Sequence, residues 1–351
     1  MKKKLLVTGS SGLIGSEIVE HLKDDYNEIY GIDNNQRRLF FGKDGDTSKR
    51  KKELQKTISN FKHVNLDIRN RSKILSFFEK VKPNDIIHCA AQPSHDLATK
   101  IPFEDFDINA TSTLNILESM RRYTPKSTIV YLSTNKVYGD APNFLKLKEL
   151  NSRYTFADRK YTNGISEDFS IDQTKHSLFG ASKLSADIMV QEYGRYFDIK
   201  SCCIRGGCLT GPNHSSVQLH GFLNFLIKTN ILKKKYTIFG YKGKQVRDNI
   251  HSKDVASFIK YFIERPRISE VYNLGGGKNN SISIKEAFKL VSSITGNEMI
   301  YSYNKTNRIG DHICYFSDLK KSKKHYPNWK ITYDLKKIIS DTAEIFLYKK
   351  W

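Results

Sequence analysis

The 351-residue sequence contains no apolar run near the roughly 18 to 20 residues that a membrane span requires. Its start, MKKKLLVTGSSG, turns to glycine too early for a secretory signal. A cytoplasmic protein without a membrane partner is expected. The five cysteines (Cys89, Cys202, Cys203, Cys208 and Cys314) are odd in number and show no CxxC spacing, which speaks against a disulfide framework and a structural zinc site, so no metal is expected. Internal repeats and low-complexity linkers are also missing. Acidic residues are scarce, 37 against 58 Lys and Arg, leaving a formal charge of +21. Such an excess suits an anionic partner. The lysines are scattered, however, and the densest run, KRKK at positions 49 to 52, has no nucleic-acid motif around it, so no nucleic-acid partner is expected. With 38% hydrophobic residues, the chain is long enough for one large or two ordinary domains with sizeable cores.

What is present begins with KKLLVTGSSGLIGSEIVEHL, an apolar run of strand type, then glycines, then an amphipathic helix pattern from Gly12. Gly9, Gly12 and Gly15 fall at intervals of three. In a strand–turn–helix unit, missing side chains there let the backbone turn tightly, approach a pyrophosphate and pack helix on strand. A second strand pattern, NEIYGID, ends in Asp33, whose carboxylate can accept both hydroxyls of an adenosine ribose and would repel a 2′-phosphate, so NAD is favoured over NADP. The alternation continues with a strand at HVNLDIRN, a helix near 71–81, a strand at NDIIHCAAQ, a helix over 103–122 and a strand at STIVYLST. Strands separated by helices of this length predict an α/β fold, a doubly wound parallel sheet of Rossmann type. Ligands of such sheets sit at the C-terminal strand ends, which gathers Asp67, Ala90, Ala91, Ser133 and Thr134 along one crevice.

The motifs TGSSGLIG, DIRN, HCAAQ, STNKVYGD, SLFGASK and GKQVRDNIHSKD occur in an order that resembles the extended short-chain dehydrogenase/reductases (the NAD-dependent epimerase/dehydratase family), over nearly the whole chain. Within that family the set looks most like the CDP-paratose 2-epimerases, also called CDP-tyvelose epimerases. The resemblance implies an NAD-binding Rossmann domain over roughly residues 1–200 and a smaller C-terminal α/β substrate lobe over 201–351, interleaved with the first. It implies an isomerase that oxidises a sugar hydroxyl with tightly held NAD, lets the keto sugar turn its other face, and returns the hydride. Here that means C2 epimerisation of a CDP-linked dideoxyhexose, or of another nucleotide sugar, by a homodimer serving polysaccharide biosynthesis; the alternatives are another nucleotide-sugar dehydratase or reductase on the same fold, or a non-catalytic NAD or nucleotide-sugar binding protein, which Phe179 would suit.

By the same resemblance Gly9, Gly12 and Gly15, with Ser11, Leu13 and Ile14, hold the pyrophosphate, Asp33 and Asn34 the ribose, and Asp67 with Ile68 the adenine. Ala90, Ala91, Gln92, Asn109 and Ser133 border the cofactor, and Lys183 grips the nicotinamide ribose. Thr134 bonds the reacting sugar oxygen. Asn135, Lys136 and Cys208 lie near the sugar, and Arg247 and Arg308 match positions that hold its diphosphate, where a guanidinium makes paired charge-assisted bonds. Dehydratases of this family carry an acidic pair after the Ser/Thr, where this chain has Asn135 and Lys136.

Two features depart from the family pattern. Phe179 stands where the family's catalytic tyrosine removes the hydroxyl proton. A histidine is expected to replace it, because imidazole accepts a proton near pH 7 without strong tuning. His95 is preferred and His176 is the second candidate. The other departure is the stretch Gln36 to Lys56, longer than an ordinary strand-to-helix connection. It is expected to fold over the adenosine side of the cofactor and to cover the apolar triplet Leu39, Phe40 and Phe41.

Overall fold

The computed structural model describes residues 2–213, 221–307 and 310–348. The chain divides into two units. The first comprises Met1–Val137, Leu178–Arg205 and Val255–Tyr272, the second Tyr138–Ser177, Gly206–Asp254 and Asn273–Trp351.

The first unit is built on a seven-stranded sheet. Its first five strands are β1 (Lys4–Thr8), β2 (Glu28–Ile32), β3 (Phe61–Val64), β4 (Asp85–His88) and β5 (Thr128–Thr134). The strands Lys200–Gly206 and Glu270–Leu274 extend it beyond β5, giving the order Glu270–Leu274, Lys200–Gly206, β5, β4, β1, β2, β3. Register is parallel through β3, β2, β1, β4 and β5, as the alternation of apolar runs and helices predicts. β1, β4 and β5 are almost wholly buried, which is why they read as continuous apolar runs. The helix Arg71–Val81 turns Ile74 and Phe78, four residues apart, into the core, and both are fully buried. Each such side chain contributes about 1.5–3 kcal/mol.

The helix expected over 103–122 is broken in a specific way. Pro102–Phe106 is α-helical, Asp107–Thr111 forms one π-helical turn, and Ser112–Tyr123 resumes the α-helix. Single π turns are frequent at functional sites.

In the second unit, Val246–His251 lies between Cys208–Thr210, parallel to it, and Ser281–Ser283, antiparallel. Leu223, Leu226, Ile238, Val291 and Ile339 belong to its separate apolar core.

The two units interleave along the chain. Tyr138–Ser177 belongs to the second unit because its backbone partners lie there: Tyr154 N donates to Lys244 O at 3.0 Å and Ile165 N to Phe316 O at 2.9 Å. Val255–Tyr272 returns to the first because the strand Glu270–Leu274 completes the edge of the large sheet.

Candidate functional site

The order of the sheet reverses between β1 and β4, so the turns leaving those strands open a crevice at their C-terminal ends. Gly9 takes φ +67°, and a Cβ there would come within 2.8 Å of Ala90 N. A Cβ on Gly15 would sit 2.1 Å from Gly9 O. The two glycines thus let the turn press against the loop after β4 and let the helix Leu13–His21 pack on the turn. That helix begins at Gly12 with no side-chain cap, and Leu13 and Ile14 open its first turn. Its leading N–H groups point where an anion would bind. Beside them the hydroxyls of Ser10 and Ser11 are buried without a partner. Orphaned donors at a helix N-terminus fit the pyrophosphate of a dinucleotide.

Asp33 ends this cradle at β2. Its carboxylate accepts from Ser11 N at 2.9 Å and Asn35 N at 2.8 Å, which fixes its orientation. Asn34 is exposed and pairs with Gln36. A cavity of about 90 Å³ opens beside Asp33, lined by Ser11 and Asn35, by Thr47, Ser48 and Lys51 of the insertion, and by His63. The insertion is anchored through Asn35, in the left-handed region at φ 56°. Its amide donates to Asp46 and Ser48, each at 2.9 Å, and its oxygen accepts from Thr47 N and Oγ1, each at 3.0 Å. Arg50, inside the basic run, turns to Glu20 at 2.6 Å on the helix Leu13–His21. The covering expected of the apolar triplet fails at Leu39, which is 81% exposed. The helix Gln36–Phe41 is only six residues long and buries none of them; Phe40 and Phe41 pack edge to face on each other, with Arg37 over Phe41.

Asp67 is paired with Arg69 at 2.6 Å. Burial raises its carboxyl, but the Arg69 guanidinium and N–H outweigh that and hold it below the ordinary range. Ile68 belongs to the core. Ala90 and Ala91 are half-buried, whereas Gln92 and Asn109 are fully enclosed and bonded to each other, Gln92 N donating to Asn109 Oδ1 at 3.0 Å.

At the end of β5, Ser133 Oγ donates to Asp187 at 2.5 Å, and Asp187 is paired with Arg205 at 2.9 Å, both buried. Thr134 Oγ1 accepts from Lys136 N at 3.2 Å, and Asn135 is buried. The helix Ser177–Phe197 carries Phe179 and Lys183 one turn apart, both buried. Lys183 Nζ donates to Leu132 O at 2.7 Å and lies 4.2 Å above the Tyr131 ring. Burial pushes the Lys183 ammonium down to about 8, against the pull of Asp187. Burial drives the Tyr131 hydroxyl well above its ordinary range. His95 opens the short helix His95–Ala98, capped by Ser94, and its Nδ1 lies 3.1 Å from Asp96. His176 donates through Nε2 to Ile171 O at 2.8 Å, and its Nδ1 is enclosed without a partner.

All of these residues except His176 and its partner Ile171 belong to the first unit; Cys208 and Arg247 belong to the second. Cys208 pairs in register with Asn249, and Arg247 Nη2 lies 3.8 Å from Asp311. Arg308 lies outside the described residues. Sequence reasoning missed Asn35, Thr47, Ser48 and Lys51, whose meeting depends on the left-handed turn at Asn35, and Asp105, whose only sequence signal is an acid inside an apolar helix face. Among the described residues there is no group of His, Cys, Asp and Glu that would hold a metal ion.

Comparison with known proteins agrees with this geometry. Residues 5–275 match the family described as NAD dependent epimerase/dehydratase family. The chain is similar to CDP-paratose 2-epimerase of Salmonella typhi, 32% identical over 91% of this chain and 92% of that protein. It is also similar to UDP-glucuronate 4-epimerase of Thermodesulfobacterium geofontis, 28% identical over 92% of this chain and 90% of that one. The fold is that of UDP-glucuronic acid 4-epimerase from Bacillus cereus, solved with UDP-glucuronic acid and NAD, at TM-score 0.79 and 23% identity, covering 98% and 99% of the two chains.

Proposed function

This chain belongs to the NAD dependent epimerase/dehydratase family, and from that premise we propose that it inverts C2 of a CDP-linked dideoxyhexose. The observation that carries the substrate is the likeness to CDP-paratose 2-epimerase over nine-tenths of both chains. Asn135 and Lys136 after Thr134, in place of acids, favour epimerisation over dehydration.

NAD, when bound, supplies the acceptor for the C2 hydride and later its donor. Around it the chain's own residues divide the work. Ser10, Ser11 and the first turn of Leu13–His21 bind the pyrophosphate, and Asp33 binds the ribose. Thr134 hydroxyl orients the reacting sugar oxygen. His95 takes the hydroxyl proton as C2 is oxidised to the ketone and returns it after the hydride reaches the opposite face, so the net change is inversion with no redox balance left over. Its Nδ1 lies 3.1 Å from the neighbouring Asp96 carboxylate. Lys183 holds the nicotinamide ribose and adds positive charge. Phe179, already buried, serves as an apolar wall. Cys208 borders the sugar, and Arg247, with Arg308, neutralises the diphosphate.

A cytoplasmic setting suits the five free cysteines. A homodimer suits the exposed Phe103 and Phe106 and the exposed Leu178 and Ile188 of the helix Ser177–Phe197. The test is incubation with CDP-paratose and CDP-glucose, with products read by NMR, beside His95→Ala, His176→Ala and Phe179→Tyr. Loss of His95 should cost on the order of 10² to 10⁴ in turnover, while Phe179→Tyr keeps or gains activity. Normal turnover in both histidine variants removes the relocated base. Binding of CDP-sugar and NAD by the unmodified protein without product or transient reduced cofactor makes it a binding protein instead.

A further inference from the structure

Four polar side chains lie between the loop after β4 and the helix Ser177–Phe197, each at most 1% exposed: Gln92, Asp105, Asn109 and Ser182. Asp105 is their centre. Its Oδ1 accepts from Gln92 Nε2 at 2.7 Å and Asn109 Nδ2 at 3.2 Å, and its Oδ2 accepts from Ser182 Oγ at 2.6 Å. Burial raises the carboxyl, opposed by the bonds from Ser182 and Gln92 and by the nearby Lys183 ammonium. An enclosed carboxylate is costly unless its partners are well placed, so it holds them in one arrangement.

Each partner leads to the reactive end of the crevice. Gln92 Nε2 also donates to Ser94 O at 2.7 Å, and its Oε1 accepts from Ser94 N at 2.5 Å, so the amide clamps the residue before His95. Ser94 Oγ then caps Leu97 N at 3.3 Å. Ser182 stands between Phe179 and Lys183 on their helix and also meets Phe179 O at 3.1 Å. The π-helical turn Asp107–Thr111 places Asn109 within reach of Gln92, Asp105 and Ser182 together.

We propose that Asp105 is a positioning residue that fixes the His95 loop against the helix bearing Phe179 and Lys183. This rests on the reading of His95 as the base. A phenol carried on the helix itself would arrive with its lysine; a base on a separate loop needs a tie between the two.

The test is Asp105→Asn, which keeps shape but turns one of the two acceptor oxygens, which face Gln92 with Asn109 and Ser182 respectively, into a donor, with Ser182→Ala as a milder second variant. Hydrogen exchange of the amides from 92 to 99 should accelerate on the order of tenfold. Turnover should fall 10- to 100-fold, the scale of a small misplacement, with KM and NAD affinity within about twofold. Folded variants with native exchange over 92–99 overturn the proposal, and so does an equal loss of turnover and NAD affinity, which marks general destabilisation. The exchange measurement does not depend on which residue is the base. Normal turnover of His95→Ala therefore removes the base assignment while the loop measurement still decides the positioning role.

Discussion

Lys183 holds an ammonium at 3% exposure, with a carbonyl at 2.7 Å and an aromatic face at 4.2 Å in place of water. Burial is the leading influence and pushes it down to about 8. The unfolded chain keeps this proton to about 10.4. Between about 8 and 10.4 the unfolded state therefore binds more protons, so this group makes native stability rise with pH across that window and penalises the fold below it. With Lys183 in its proposed place at the nicotinamide ribose, activity runs the other way, because the positive charge is lost above about 8. The expected kcat/KM profile falls on its alkaline side with an apparent value near 8. Lys183→Arg, whose charge does not titrate, should abolish that limb at a lower plateau. A limb unchanged in Lys183→Arg belongs to another group. The lysine one turn from position 179 is plain in the sequence, but its depressed proton affinity is not, since that depends on the enclosure by Leu132 and Tyr131.

Among elements, the parallel strands and the glycine turn were legible because each follows from local periodicity and from backbone geometry that only glycine tolerates. The π turn at Asp107–Thr111 was not, because one shifted hydrogen bond leaves the apolar pattern of a helix intact. The insertion was legible as an extra stretch after Asp33 and misread at Leu39, whose six-residue helix has too short a face to bury three apolar side chains in a row. The insertion is held by the buried Leu54 and by polar ties, among which Asn35 joins Asp46, Thr47 and Ser48. Thr47, Ser48 and Lys51 line the cavity next to Asp33. Asn35→Ala removes four hydrogen bonds from a left-handed position that asparagine tolerates better than alanine. It should raise the NAD dissociation rate on the order of tenfold, measured by stopped-flow displacement, and leave the association rate nearly unchanged. Lys51→Ala is expected to act in the same direction more weakly. Retention of the protein on DNA at physiological salt, with a steep salt slope, would give the basic run a different role.

At the scale of the molecule, the two units are each made of three chain segments, so the chain passes between them five times. These passages fall inside regular elements. The strand Lys200–Gly206 ends, at Gly206, in the second unit; the helix Ser252–Glu264 starts there and continues in the first; the strand Glu270–Leu274 changes unit after Tyr272. Pairing over such sequence distances is invisible to local periodicity, which is why the positions of these passages are not legible in the sequence even where an interleaving of two parts is. It has a thermodynamic consequence. Melting the first unit strips partners from strands and helices whose other ends belong to the second, so neither unit has a linker at which to stop unfolding. Calorimetry should show one cooperative transition. NAD, whose proposed pyrophosphate and ribose contacts fall in the first unit, should raise that whole transition, because a ligand that binds only the native state adds about 2.7 kcal/mol at a hundredfold excess over Kd. With unfolding entropy of about 2.1 cal/mol/K per residue, the shift is on the order of 4 °C. Asp33→Ala should shrink it through weaker ribose binding. Two transitions, of which NAD moves only the lower or only the upper, would mean that the units unfold independently despite the shared elements.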